Sequence, residues 1–521
     1  MATRSPAVLV DDTRTLVLSD ITVCKAVGGN DTETYDPALP HVSGGPLPLQ
    51  PGPVPEELCE TAPLDEDGNP RGPFFAGEVP NTQRGGSSGR VNEGQVVLTN
   101  GVNVGGRAGT PSAPGALAMG ASQMDVEAGQ GLRHRLVNAA TTRFFRLRLT
   151  DNAGAMIPLV RIGGQGGLLD DAAIDGGVAP GGFDFKYDAG QVLLDPGDRI
   201  EVVAAIPSTA SGVLTMWTED FERTGLTFAK IPTVPVAHFS VAGSAPAVYT
   251  IADGTALRSS IPGAEQEVLG AATAVLLDPA AFAPAKAGMA SQTVELTATG
   301  ISLGVNGVQG HHDFAGDYTA IPHEDSARYA KLGDTLELTV FNNTGAHHPF
   351  HLHGFSIQPL DLTKPASPTY TFPYADYRDN IDVPAGYTLR FRVRLDDRPL
   401  LDGMTPGGGL GRWVFHCHIF FHAVFGMISE FVVTAPDGRE RPYVNANDTL
   451  IEAATGDNVS MQGTYVDTDG EAVTLSASIG SVVDDGGGQW TWTHTTAAGD
   501  GPFVYITATD AGGRQDQAIF A

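Results

Sequence analysis

An all-β fold is what this sequence predicts, and three observations predict it. Glycine and proline are abundant, 65 and 36 of 521 residues, while charged residues make up only 17%. Val, Thr, Phe and Leu recur in short runs that close on Gly, Asp, Asn or Pro, the pattern of strands between tight turns. The chain is also too long for one ordinary core, so two or three domains are expected, each burying its own apolar residues.

Taken in order, residues 1–245 read as a first β-rich unit, with strands predicted in VVLTNGVNV, LRHRLVNAATTRFFRLRLT and GDRIEVVAAIP, the second alternating with period two. The stretch VAGSAPAVYTIADGTALRSSIPGAEQE is rich in Gly, Ala and Ser and reads as a linker or loose connection. A second unit, 246–437, carries predicted strands in TVELTATGISL, DTLELTVFN, YTLRFRVRL, WVFHCHI and MISEFVVTA. The run GGGLGR before Trp413 lacks the strand-to-helix setting of a dinucleotide fingerprint and reads as a turn. Beyond PDGRERPYVNANDTL, the short runs VTLSASI, WTWTHTT and VYITATD recur at tight spacing and predict a small immunoglobulin-like β-sandwich over 438–521. In it DTDGE, Asp467 to Glu471, reads first as a polar hairpin turn and second as part of a calcium loop.

A formal net charge of −29 with only six lysines excludes a continuous basic groove, so nucleic acid is not an expected partner. No apolar run approaches the ~20 residues needed to span a bilayer. The opening residues MATRSPAVLVDDTRTLVLSD lack the long apolar core of a signal peptide. Three cysteines allow one disulfide and one odd thiol. Cys24 and Cys59, on either side of a Pro-rich loop, are the candidate disulfide, which makes sense only in an oxidising compartment; the alternative is two unrelated thiols. Cys417 is then the odd one.

The chemistry concentrates in FHCHIFFHAVFGM, Phe415 to Met427. In an extended strand His416 and His418 share one face while Cys417 points to the other, so one strand serves two metal sites joined by a few covalent bonds. A thiolate with two imidazoles and a weak thioether is the donor set of a mononuclear copper site. His422 and Met427 follow Cys417 at steps of five. The second imidazole comes from FNNTGAHHPFHLHGFSIQPL: His348, expected across a proline turn, reaches the Cys417 metal, while His351 and His353 join His416 and His418. Seven of the fourteen histidines fall in these two clusters. Zinc is the competing metal, but a structural zinc site closes on four ligands and would leave several of these unused. His347 points the wrong way to be a ligand, and His41, His134, His238, His323 and His494 read as ordinary core or surface residues. Asp376, Asp379 and Asp382 read as a solvated face or as an attraction for a cationic reductant.

HPFHLHG together with HCHIFFHAVFGM resembles the two C-terminal copper-binding signatures of multicopper oxidases. The resemblance implies cupredoxin domains, Greek-key β-barrels, and one-electron oxidation of a small-molecule or metal-ion donor coupled to reduction of dioxygen to water. It implies that His348, Cys417, His422 and Met427 hold a type 1 copper, that His351 binds a type 2 copper and that His353, His416 and His418 bind the type 3 pair. Electrons would enter at His422 and leave through Cys417. The first unit is similar to the family's metal-free middle domain, and an extracellular or periplasmic location is implied. The family's oxygen site takes eight histidines, four of them from two N-terminal His-x-His pairs. No such pair precedes residue 347, and the adjacent His311 and His312 would face opposite ways in a strand. The missing imidazoles are therefore expected from another chain or an N-terminal domain, or else the chain is a copper-binding electron-transfer or interaction module without oxygen chemistry. Small phenolic or amine donors are expected ahead of metal ions.

Overall fold

Strands dominate the computed structural model of this protein, which describes residues 12–21, 96–223, 233–245, 251–270, 293–299, 302–310 and 326–521. Cys24, Cys59, His41, His311, His312 and His323 lie outside the described residues. Among those described, the α-helix is the five-residue Phe420–Val424, and no helix is long and apolar enough to cross a membrane.

Two sheets form the first barrel. One runs Gly167–Ile174, Val160–Gly164, Arg199–Ala205, Gly131–Asn138, Asp12–Ile21 and Val96–Thr99; the other runs Val192–Leu194, Phe145–Thr150, Val213–Glu219, Val234–Ser244 and Met124–Ala128. Their alternating apolar faces close on one core that includes Leu16, Leu132, Leu147, Val202 and Phe239. The sequence run LRHRLVNAATTRFFRLRLT, expected as one strand, is two strands in different sheets. Asn138 makes the break: its side chain donates to the carbonyls of Arg143 and Leu194 and accepts from the Ala140 N–H, which folds the chain across the barrel.

The second barrel repeats this plan. Its sheets run Ser302–Val305, Thr293–Thr299, Thr335–Asn343, Thr388–Arg394, Ile357–Thr363 and Tyr370–Thr371, and Arg328–Lys331, Ile428–Thr434, Gly411–Cys417, His348–Leu352 and Asn380–Val383. In both barrels the first strand pairs parallel with the fourth strand of the barrel sheets, as Asp12–Ile21 does with Gly131–Asn138 and Thr293–Thr299 with Thr335–Asn343. Asn342 takes the place of Asn138, donating to Ala346 O and Val383 O. Asn100 and Asn306 likewise both adopt positive φ and bond the preceding strand through backbone and side chain. Register then matches the barrels residue by residue. Leu194 pairs with Phe145 as Val383 pairs with His348, and Leu147 pairs with Thr218 as Phe350 pairs with Cys417. The first barrel thus carries Phe145 and Thr218 where the second carries His348 and Cys417, so it has no metal donor at these two positions.

Residues 251–270, expected as a loose connection, are docked. Backbone bonds join Ala172 N to Thr255 O and Leu257 N to Asp170 O, while Leu269 N donates to Gln358 of the second barrel. Leu257 is buried with Ile162, Leu169 and Val203. After the second barrel, a four-stranded and a three-stranded sheet enclose Met461, Trp490, Trp492, Ile506 and Phe520. This sandwich is held to the barrel before it by paired bonds between Asp402 and Gln517.

Candidate metal centre

Strand alternation and one register build the site. His351 lies opposite His416 and Phe350 opposite Cys417, so two neighbouring strands each send one side chain inward and the next outward. Cys417 and His348 are buried to 0% and 1% exposure, while His351 and His416 are half-buried and His353 is exposed. His348 is not carried across a proline turn. It opens the strand His348–Leu352, and Pro349 sits inside that strand, where its carbonyl accepts from His418 N. A strand position facing Phe350 and Leu352 is what sends His348 to the buried side.

After Cys417 the chain turns through the helix Phe420–Val424, and Met427 N donates to His422 O while Cys417 N donates to Met427 O. Gly426 permits this closure: it has φ +110°, and a Cβ there would stand 2.6 Å from the Leu303 carbonyl. His422 is thereby returned to the thiol. Cys417 Sγ lies 3.4 Å from His422 Nδ1 and 3.5 Å from His348 Nδ1, and the two nitrogens are 2.9 Å apart. Met427 is fully buried in the same core as Cys417. Burial pushes the Cys417 thiol far up and His348 down to about 3, and it holds His422 well below its ordinary value. The pocket thus presents neutral lone pairs beside a thiol that gives up its proton only to a cation.

Partners beyond the cluster fix which nitrogen faces inward. His348 Nε2 donates to Thr344 Oγ1 at 2.7 Å, and that hydroxyl donates to Asn342 Oδ1 at 2.8 Å, leaving Nδ1 for a metal. Sequence reasoning did not single out Thr344 or Asn342.

The second cluster lies on the other face of the same strands. His351, His353 and His416 bring one nitrogen each within 4.8 Å of one another, and His353 Nε2 is 3.1 Å from His416 Nε2. His351 Nδ1 donates to Asp379 O and His416 Nδ1 to Cys417 O, so both offer Nε2. The His418 ring stands 5.3 Å from His351 and 5.5 Å from His416, resting on Gly197 of the first barrel. Burial lowers His416 to about 3 and His353 to about 4. His347 faces away, its Nδ1 2.6 Å from Asp382 Oδ2 and its ring against Phe221.

Asp376, Asp379 and Asp382 form no free acidic face. Asp376 is buried between Arg161 and Arg378, Asp379 pairs with Arg199, and Asp382 holds His347. They tie the two barrels together. The DTDGE carboxylates Asp467 and Glu471 meet Asp510, but the cation among them is Arg514, which bonds Asp510, Glu471 and Asp437.

Two imidazole nitrogens and a thiol converging in an all-β barrel, with a buried thioether in the same core, define a cupredoxin-type metal protein. Residues 303–437 match the multicopper oxidase family model, a family whose members bind copper. It is 32% identical to copper resistance protein A of Escherichia coli over 123 residues, covering 23% of this chain and 17% of that protein. To a laccase of Haloferax volcanii it is 26% identical over 331 residues, covering 62% of this chain and 47% of the laccase. Among solved structures it is similar to a multicopper oxidase from Campylobacter jejuni (TM-score 0.46, 15% identity, 81% of this chain and 64% of that one). The matched region spans about a sixth of copper resistance protein A and under half of the laccase.

Proposed function

We propose that this protein is a copper-dependent oxidoreductase of the multicopper oxidase type. It takes single electrons from a reducing substrate at a type 1 centre and passes them toward a second centre that reduces dioxygen. The convergence of His348 Nδ1, His422 Nδ1 and Cys417 Sγ within 3.5 Å carries this reading, because soft sulfur with two imidazoles is the donor set copper prefers. Copper bound there supplies one-electron chemistry. The chain's own residues do the rest. Met427 closes the buried shell, Thr344 orients His348, and the peptide bonds flanking Cys417 link its sulfur to His416 and His418. His351 is assigned to a type 2 copper and His353, His416 and His418 to a type 3 pair. On this reading residues 1–245 are a copper-free cupredoxin-like domain, 246–437 the copper-bearing one and 438–521 an immunoglobulin-like module. The donor is a small phenol or amine, and the setting is extracellular or periplasmic.

A second reading is favoured by one observation: among the described residues only four imidazoles gather at the open cluster, His351, His353, His416 and His418. A monomer limited to these would accept electrons without sustained oxygen reduction. Metal analysis and oxygen uptake decide between the two. Close to four coppers per chain with steady uptake supports the oxidase, either alone or with histidines from a partner chain or N-terminal domain. One tightly held copper, a blue colour and no turnover supports the electron-transfer module. No blue absorption after copper loading would sink both.

A further inference from the structure

Between the two barrels lies a cavity of about 380 Å³ that none of the copper-centre residues lines. Its wall is aromatic from both sides. Phe183, Phe185 and Tyr187 come from the first barrel and Tyr370, Phe372 and Tyr387 from the second. Ring centroids stand 5.0 Å apart for Phe185 and Tyr370 and 5.6 Å for Phe183 and Tyr387. At the rim the Lys364 ammonium already sits 5.4 Å over the Tyr387 ring. Such a wall attracts cations through the negative faces of its rings.

Acidic side chains make the floor: Asp175, Asp195, Asp198 and Asp382. Two guanidiniums share it, Arg161 and Arg378, but both are engaged by Asp376, at 2.8 and 2.7 Å. Among the described residues none of the four floor carboxylates has an ammonium or guanidinium within ion-pair distance; Asp382 has only His347, and Asp195 is held by Asn380. Arg378 acts on Asp195 and Asp198 through space without pairing with them, and burial, reinforced by the charges of Asp198 and Asp382, still lifts the Asp195 carboxyl well above the usual range. Asp175 is the half-buried carboxylate of the floor.

We infer that this cavity is a binding site for a single-ring arylalkyl amine in its ammonium form, the ring on the aromatic wall and the ammonium on the carboxylate floor. Ligand pockets run from roughly 300 to 1,000 Å³, and one at the lower end takes one ring. The site is separate from the copper ligands, none of which lines it.

Calorimetric titration of the full chain at pH 7 with benzylamine, benzyl alcohol and benzoate tests it. These share a ring and differ in charge, and benzylamine is not a ready one-electron donor, so binding is read apart from oxidation. Benzylamine should bind about tenfold or more tighter than benzyl alcohol, a difference of about 1.4 kcal/mol, and benzoate should not bind. Asp175→Asn and Phe185→Ala should each weaken benzylamine binding at least several-fold. Equal binding of the amine and the alcohol, binding of neither, or amine binding indifferent to both folded variants would each overturn the inference. Should either variant fail to fold, the wild-type selectivity decides alone. Copper-free and copper-loaded chains should give the same result, so a chain that never turns blue leaves this test standing.

Discussion

On the proposed copper reading, a single atom at Cys417 decides the colour of the protein. Serine keeps the size of the side chain but replaces the soft donor with a hard one, so Cys417→Ser should abolish the thiolate-to-copper absorption while far-ultraviolet circular dichroism stays unchanged. Colour that survives would remove Cys417 from the centre. Thr344 acts one step further out, through the 2.7 Å bond to His348 Nε2. Thr344→Val keeps the shape and leaves that ring without its partner. Copper affinity measured by competition with a chelator should fall by about 10- to 100-fold with the blue band retained. Unchanged affinity would mean that packing alone orients His348.

Turns between strands set the second cluster. The segment from Asp195 to Asp198 joins Val192–Leu194 to Arg199–Ala205 and lays Gly197 under the His418 ring. Gly197 has φ +84°, and an added Cβ would stand 2.5 Å from His418 Nε2. Gly197→Ala should therefore cost about 1 kcal/mol or more in backbone strain and push His418 out of the open cluster. The expected outcome is loss of the more weakly held coppers with the blue centre intact. Metal analysis alongside the visible spectrum checks it, and loss of blue colour instead would mean that the two centres are not separately built. The same element logic distinguishes the first barrel, whose matching strands present Phe145 and Thr218 where the second has His348 and Cys417.

Across the whole molecule, ion pairs and buried acids lock three cores together. Asp195 sits at the inter-barrel seam with its carboxyl raised by burial first and by Asp198 and Asp382 next. The unfolded chain ionises this group near the ordinary value of about 4, whereas the folded chain keeps its proton well above that. The folded state binds more protons across that window, so its stability falls as pH rises through it. Asp195→Asn should raise the melting temperature by a few degrees at pH 7, with the gain shrinking toward pH 4. A variant melting at or below wild type at pH 7 would contradict it. At the other seam Arg514 is buried among Asp510, Glu471 and Asp437. Thermal melting of the sandwich should ignore calcium and chelator, because the guanidiniums of Arg514 and Arg439 already pair with its carboxylates. Arg514→Met should destabilise by roughly 3 kcal/mol or more through the carboxylates left unpaired. A calcium-dependent melting temperature in the wild type would overturn that assignment.

The sequence by itself determined the all-β class, the donor types and the two-faced arrangement at Cys417, because strand alternation is a local rule that spacing expresses directly. His348, Cys417 and His422 could be named from HPFHLHG and HCHIFFHAVFGM for that reason. It also held an unread signal: NGV recurs at 100–102 and 306–308, marking the repeat that relates the barrels. The tertiary structure alone decided what depends on distant partners. Register, a long-range property, placed Pro349 inside a strand, brought His351 opposite His416 and set His418 against Gly197. Packing of one barrel on the other turned Asp376 and Asp379 from an apparent solvated face into ion pairs, and it enclosed the aromatic cavity. Residues hundreds of positions apart meet there, as Arg161 meets Asp376, and no local pattern encodes that meeting.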